Sequence, residues 1–310
     1  MSNIINVEIA PREYYRIGTP HRAVLTVTGI GRVNKLIAAS AKSWGITEEK
    51  KIRFTGNNAS NVGDVSGLTQ VEKASAYFEY GNHIAYLLSD GTAEARGYNA
   101  NGQCNVGAFS DLIDIVAGNY CTVGVRSNGT CVATGVIYGE STAFPPDVSG
   151  MSNVSKIFIC GNAIIGITPA GGCIGAGVLN YFDTNGWGSV KKVVGHSQNG
   201  YYYNIGWYYG LRLNGTIARC GSATDVMDSW TDIVDFHASK SGNIYVGLTS
   251  GGTIRLAGYA TGSLSLASTW TNITHMSACD SHILGLRSDG VILAAGQNGN
   301  GQCNVSTWGN

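Results

Sequence analysis

Six times in this chain two glycines stand six residues apart inside the same kind of phrase. The pairs are Gly91/Gly97, Gly129/Gly135, Gly171/Gly177, Gly215/Gly221, Gly252/Gly258 and Gly290/Gly296. A seventh copy, "ITEEKKIRFTG", ends at Gly56 and carries Lys50 in the slot of the first glycine. The end glycines are 41, 38, 42, 44, 37 and 38 residues apart, a mean of (296 − 56)/6 = 40. A period of that length over most of a chain marks a repeat architecture in which each unit buries its apolar face against the next. It also accounts for two nearly identical octets, "NANGQCNV" at Asn99–Val106 and "NGNGQCNV" at Asn298–Val305, which lie 298 − 99 = 199 residues apart, five periods.

Other columns of the repeat say what each unit is. Four residues before the turn glycine, or Lys50, stand Ile46, Leu87, Val125, Ile167, Leu211, Leu248 and Leu286; six before stand Trp44, Ala85, Val123, Ile165, Tyr209, Val246 and Leu284. Alternate apolar residues belong to one face of a strand. Between them lie Gly45, Gly124, Gly166, Gly210, Gly247 and Gly285, with Tyr86 as the exception, and glycine on that face admits a close neighbour. "SDG", "SNG" and "LNG" are hairpin turns; Asp90, Asn128, Asn214 and Asp289 are explained by that turn chemistry. Upstream runs such as Trp230–Phe236 and Trp270–Met276 add a further strand. Several short strands per unit, seven times over, predict an all-β, seven-bladed β-propeller over residues 30–310. Trp308 stands where Trp230 and Trp270 stand, so the C-terminal segment is expected to pair into the blade begun by Arg32–Ser40. Residues 1–29, with alternating "INVEI" and "AVLTVT", fall outside the repeats and are expected to form a short β arm or edge strands, which either seal a blade's outer edge or anchor the ring to a larger assembly.

Composition narrows the class. Charged residues are 13% of the chain, the formal net charge is zero, and 44 glycines outnumber 5 prolines, so neither a disordered nor a helical chain is expected. The balance is uneven: residues 1–53 hold nine Lys/Arg against four Asp/Glu, and the remainder holds eleven against sixteen. No apolar run is long enough for a membrane span. The start lacks the layout of a secretory signal, which favours a cytoplasmic or virion-borne protein. None of the eight cysteines forms a Cys-x-x-Cys pair, and free buried thiols are expected rather than disulfides or a zinc site. Cys131 and Cys173, in one column of successive units, are expected too far apart to bridge.

The phrases "GNYCTVGVRSNGTCVATGVIYG", "WTDIVDFHAS", "GLTSGGTIRLAG" and "NGQCNVSTW" resemble the regulator-of-chromosome-condensation (RCC1-like) repeat family, in a bacterial or phage-type wording. The resemblance covers about residues 30–310 and implies a seven-bladed β-propeller that offers its loops to a protein partner. Its members include a nucleotide-exchange factor, chromatin binders and an inhibitor of β-lactamases, so the fold does not choose a function. No exchange-factor residue and no basic cluster for a nucleosome is recognised here.

The segment "NGYYYNIGWYYGL", Asn199–Leu211, is the most distinctive surface candidate. Tyr209 and Leu211 fill core columns, whereas Tyr201, Tyr202, Tyr203 and Trp207, with Trp187 upstream, are candidate ligand or partner contacts, since Tyr and Trp give rigid, partly polar area. In the arm, Arg12, Tyr14, Tyr15, Arg16 and Arg22 are candidate assembly contacts. His83 and His282 share a column with Lys42, Cys121, Ala163 and Trp207, a variety that fits structural histidines bonded to backbone and not a metal ring. No catalytic motif is present. Channel catalysis would need convergent carboxylates and histidines, and the repeat columns offer mostly Gly, Ala and aliphatics. The expected function is a non-catalytic recognition or structural propeller, such as a phage tail or baseplate component in host attachment, with no cofactor, no metal, no nucleic acid and no membrane insertion. An intracellular regulator or inhibitor and a lectin-like propeller for cell-surface glycans are the alternatives.

Overall fold

The computed structural model describes residues 6–8, 26–28, 33–39, 41–57, 65, 67–77, 83–138, 143–177, 179, 182–200, 203–221, 223, 226–239 and 244–308. Strands β1 (Asn6–Glu8) and β2 (Thr26–Thr28) pair antiparallel, Asn6 opposite Thr28. Seven three-stranded antiparallel sheets follow. Blade 1 is β3 (Val33–Ala39), β4 (Lys42–Thr47) and β5 (Ile52–Gly56); blade 2 is β6 (Val71–Tyr77), β7 (His83–Leu88) and β8 (Ala93–Gly97). Blade 3 is β9 (Leu112–Ala117), β10 (Cys121–Arg126) and β11 (Cys131–Gly135), after which β12 (Ile137–Tyr138) and β13 (Ala143–Phe144) make a small ladder. Blade 4 is β14 (Lys156–Cys160), β15 (Ala163–Ile167) and β16 (Cys173–Gly177); blade 5 is β17 (Val190–Gly200), β18 (Tyr203–Arg212) and β19 (Ile217–Gly221). Blade 6 is β20 (Ile233–Ala238), β21 (Ile244–Thr249) and β22 (Ile254–Gly258); blade 7 is β23 (Ile273–Ala278), β24 (His282–Arg287) and β25 (Ile292–Gly296). A 3-10 helix, Gly262–Thr269, joins blades 6 and 7 and buries Leu264 and Ala267; its sequence has no helical periodicity to announce it.

The first strand of each blade touches the first strand of the next, β3 to β6, β9, β14, β17, β20 and β23, and β23 touches β3. The sheets therefore form a closed ring around a channel. All eight cysteines remain thiols.

The glycine columns have three separate causes. The six turn glycines have φ between 74° and 88°, and Lys50 in the seventh copy takes the same left-handed conformation at φ 60°. The end glycines close each third strand against the preceding turn: a Cβ on Gly296, at φ 123°, would stand 2.3 Å from the Ser281 carbonyl oxygen. The mid-strand glycines are sockets. A Cβ on Gly210, Gly247 or Gly285 would meet the ring of Trp187, Trp230 or Trp270 at 2.5, 2.6 and 2.8 Å. Phe109 and Met151 fill the same slot over Gly124 and Gly166. Blade 2 exchanges the partners: the loop gives the smaller Leu68, and the strand supplies the fully buried Tyr86. Each buried indole removes roughly 200 Å² from water, on the order of 5 kcal/mol before conformational costs.

Trp308 fills this slot in blade 1, above Gly45 and beside Val33, in one cluster with Leu284 and Leu286 of blade 7. The loop that carries Trp308 thus meets blade 1 where the sequence places it. Their junction consists of a packed loop and hydrogen bonds, since residues 297–308 contain no strand among the described residues. The two octets make matching buckles. In the first, Asn99 Oδ1 accepts from Cys104 N at 2.7 Å, and Asn99 Nδ2 donates to Asn105 Oδ1 at 2.9 Å. The Gln103 carbonyl accepts from the Thr122 hydroxyl at 2.8 Å, with His83 Nε2 at 2.9 Å from that hydroxyl. In the second, Asn298 repeats both bonds at 2.8 and 3.0 Å. The Gln302 carbonyl accepts from Ser43 at 2.7 Å, with His282 Nε2 at 2.7 Å from Ser43 Oγ. Each histidine reaches a hydroxyl of the next blade, Thr122 or Ser43, where the sequence suggested neighbouring backbone.

Candidate functional site

The inner strands line a cavity of about 540 Å³ to which all seven blades contribute. Its wall is small and aliphatic around Ile37, Ala76, Val116, Phe158 and Val194. Two serines tie neighbouring strands: Ser75 Oγ accepts from Ala117 N at 3.0 Å, and Ser277 Oγ accepts from Ala38 N at 2.9 Å. The aliphatic expectation for the channel holds for this wall and fails at its edge. At the N-terminal ends of the inner strands stand Lys35, Lys73, Asp114, Lys156, Lys192, Asp235 and His275, one per blade. The columns first compared belong to the second strands, which face neighbouring blades; the charged column belongs to the first strands.

Adjacent members of this collar pair across blades. Lys73 Nζ lies 2.5 Å from Asp114 Oδ1, and Lys192 Nζ lies 2.7 Å from Asp235 Oδ1. Lys192 Nζ is also 3.0 Å from His237 Nε2. Burial opposes ionisation of Asp235, but the Lys192 ammonium and His237 outweigh it and hold the carboxyl well below its usual range. Burial lowers His237 and His275, so both are neutral at pH 7.

At the opposite end of the inner strands, Cys279 Sγ lies 3.2 Å from His282 Nδ1, and Ser281 Oγ lies 3.0 Å from the same nitrogen. The Ser43 hydroxyl has one proton and gives it to the Gln302 carbonyl. His282 Nε2 must therefore donate to Ser43, which leaves Nδ1 as an acceptor for the thiol or the Ser281 hydroxyl. Burial lowers His282 to about 4 and raises the Cys279 thiol. A neutral imidazole beside a protonated thiol is a hydrogen-bonded pair, not an activated nucleophile.

The aromatic candidates separate. Trp187 is 3% exposed, seated on Gly210, with its Nε1 donating to the Arg219 carbonyl at 3.3 Å. Trp207 is half-buried and lies 5.6 Å from the Tyr209 ring. The β17–β18 ladder runs from Val190–Arg212 to Gly200–Tyr203, whereas β19 pairs with β18 only as far as Trp207. A two-stranded finger therefore continues past the third strand of blade 5, and this extension is why its repeat is the longest. Tyr203 stands at the finger's end in the ladder, and Tyr201 and Tyr202 lie outside the described residues. Arg12, Tyr14, Tyr15, Arg16 and Arg22 also lie outside them. Exposed aromatics that were not anticipated include Tyr98 at 42% and Tyr259 at 75%. Each directly follows an end glycine, which was the available signal. Among the described residues no cluster of metal-ligating side chains occurs, and no helix is long and apolar enough to cross a membrane.

No family model matches the chain, and no curated protein matches it. Solved structures match its fold. The CRINKLY WD40 ectodomain of the Arabidopsis thaliana receptor kinase ACR4 superposes with a TM-score of 0.59 at 11% identity, covering 86% of this chain and 96% of that one. The ectodomain of the Physcomitrella patens receptor kinase CR4 gives 0.57 at 14% identity, over 86% and 74%. Prp20p of Saccharomyces cerevisiae, the yeast RCC1, gives 0.52 at 11% identity, over 74% and 72%. At a coarse level the fold is thus a β-propeller similar to that of the yeast RCC1, whose family the repeats resemble.

Proposed function

We propose that this chain is a non-catalytic recognition and structural propeller, held in a larger assembly of the phage-virion kind. Residues 30–310 form the ring in this reading, and residues 1–29 are its anchoring arm. The observation that carries it is the finger of blade 5: seven equivalent hairpins exist, and among the described residues one alone is prolonged beyond its third strand, in the segment with consecutive tyrosines. A hairpin that runs on past the third strand of its sheet offers its edge and loop to something outside the ring. That Prp20p, of similar fold, is described with binding properties to Gsp1p and histones supports a protein as the partner.

Co-sedimentation with assemblies from the native source tests the proposal. The full chain should sediment with them, and a chain lacking residues 2–28 should stay folded and remain in the supernatant. Tyr202→Ala with Tyr203→Ala should weaken attachment while changing stability by no more than about 0.5 kcal/mol, as at other surface positions. A full chain that never sediments contradicts the reading, and unfolding of the 2–28 deletion would make the arm an edge seal instead of an anchor.

A further inference from the structure

We infer that the collared end of the channel is a binding site for an amphiphilic anion: a carboxylate or phosphate head on an apolar body. The first observation is positional. Lys35, Lys73, Asp114, Lys156, Lys192, Asp235 and His275 each follow by two residues an aliphatic residue at or just before the start of the inner strand, respectively Val33, Val71, Leu112, Val154, Val190, Ile233 and Ile273. In blades 1, 2, 5, 6 and 7 the ladder shifts register between those two residues, and such bulges re-aim side chains. The cross-blade contacts Lys73–Asp114 and Lys192–Asp235 show that the column meets around the ring.

The second observation is charge. Four lysines face two aspartates, an excess of 4 − 2 = +2 in a chain whose net charge is zero. The aspartates are committed. Asp114 accepts from Lys73 and from the Ile115 and Ile157 amides, the latter two at 2.9 Å, and Asp235 accepts from Lys192 and the Phe236 amide at 2.8 Å. The nearby Glu72 carboxylate is taken by Lys50 at 2.5 Å. Lys35 donates to the Glu72 carbonyl and lies within electrostatic reach of the Glu72 carboxylate, to which Lys50 is already bonded. Lys156 is exposed and makes no ion pair among the described residues. Two ammonium groups therefore remain for an anion.

The third observation is the cavity itself. Its volume of about 540 Å³ falls in the range of roughly 300–1,000 Å³ typical of small-molecule sites, which combine an apolar lining with a few polar groups that fix orientation. Here Ile37, Val116, Phe158 and Val194 supply the wall, and Lys192 belongs to both wall and collar. An anionic head at the collar places an apolar body against that wall. A cation of the same shape would meet the lysines and be rejected.

Calorimetric titration of the full chain with octanoate, octyl phosphate and octylamine is the test. One equivalent of octanoate, octyl phosphate or both should bind, and which of the two binds identifies the head. Octylamine should bind at least tenfold more weakly. Lys35→Ala with Lys156→Ala, both exposed, should leave the melting temperature unchanged and weaken the anion at least tenfold. Equal binding of octylamine, no binding of either anion at millimolar concentration, or binding indifferent to the lysine pair would each overturn the inference. None of these outcomes depends on the assembly role of the arm and finger.

Discussion

Asn99–Val106 and Asn298–Val305 fold into the same buckle, yet one joins blades that the chain already connects and the other joins blades that no peptide bond links. Their asparagine, glutamine and histidine bonds agree to within about 0.2 Å. The loop side chain beside each differs, Phe109 in the first and Trp308 in the second. The histidine differs as well, because His282 Nδ1 faces Cys279 and Ser281. Where covalent continuity is missing, a larger ring holds the same joint. An internal repeat has thus become the clasp of the ring without a new motif.

The largest effect should come from removing the clasp's indole. Trp308→Ala should destabilise by about 3–5 kcal/mol, the cost of a large buried side chain lost to a cavity. Phe109→Ala should cost a similar amount at equilibrium, but its unfolding should remain a single transition in denaturant, whereas Trp308→Ala should loosen blade 1 first. Equal, single transitions for both would remove the distinction between joint and clasp.

Acid should act on the clasp next. His282 is held at about 4 in the fold against about 6.5 when unfolded. Since its folded value is depressed, the unfolded chain binds the proton first; stability is full above pH 6.5 and falls as pH drops towards 4. The loss from this residue is on the order of 3 kcal/mol. His282→Phe should flatten that part of the pH profile, as measured by chemical denaturation at stepped pH; an unchanged slope would place the titrating group elsewhere.

The smallest effect is at the exposed rim of each buckle. Asn304→Ala and Asn105→Ala each remove one side-chain hydrogen bond in solvent and should cost no more than about 1 kcal/mol. Their effects should match within about 0.5 kcal/mol, because distant sites act independently. A markedly larger cost for Asn304 would extend the clasp's special role to the rim.

The second and third strands of every blade were legible in the sequence because their constraints are local. Turn glycines need positive φ, end glycines leave no room for a Cβ, and Gly45 or Gly210 must admit a neighbour's side chain. Lys50 and Tyr86 break those columns and show the physical rule behind them: Lys50 adopts the left-handed turn itself, and Tyr86 replaces the bulk of a loop tryptophan. Trp308 was readable as the partner of Trp230 and Trp270 for the same reason. The inner strands were harder. Their channel-facing residues pack against no core, so Lys35, Lys73 and Lys156 read as ordinary surface until the strands are set side by side. Trp187 illustrates the opposite error source, since a socket glycine 23 residues later (210 − 187), Gly210, decides its burial. The 3-10 helix at Gly262–Thr269 carries no periodic pattern and could not be read.

Hydrogen exchange of the full chain against a form lacking residues 297–310 tests the closure of the ring most directly. Loss of the clasp should accelerate exchange in Lys42–Thr47 and His282–Arg287, the middle strands of blades 1 and 7, while Ala163–Ile167 in blade 4 stays protected. Unaltered protection in blades 1 and 7 would contradict a ring held shut by its C-terminal buckle.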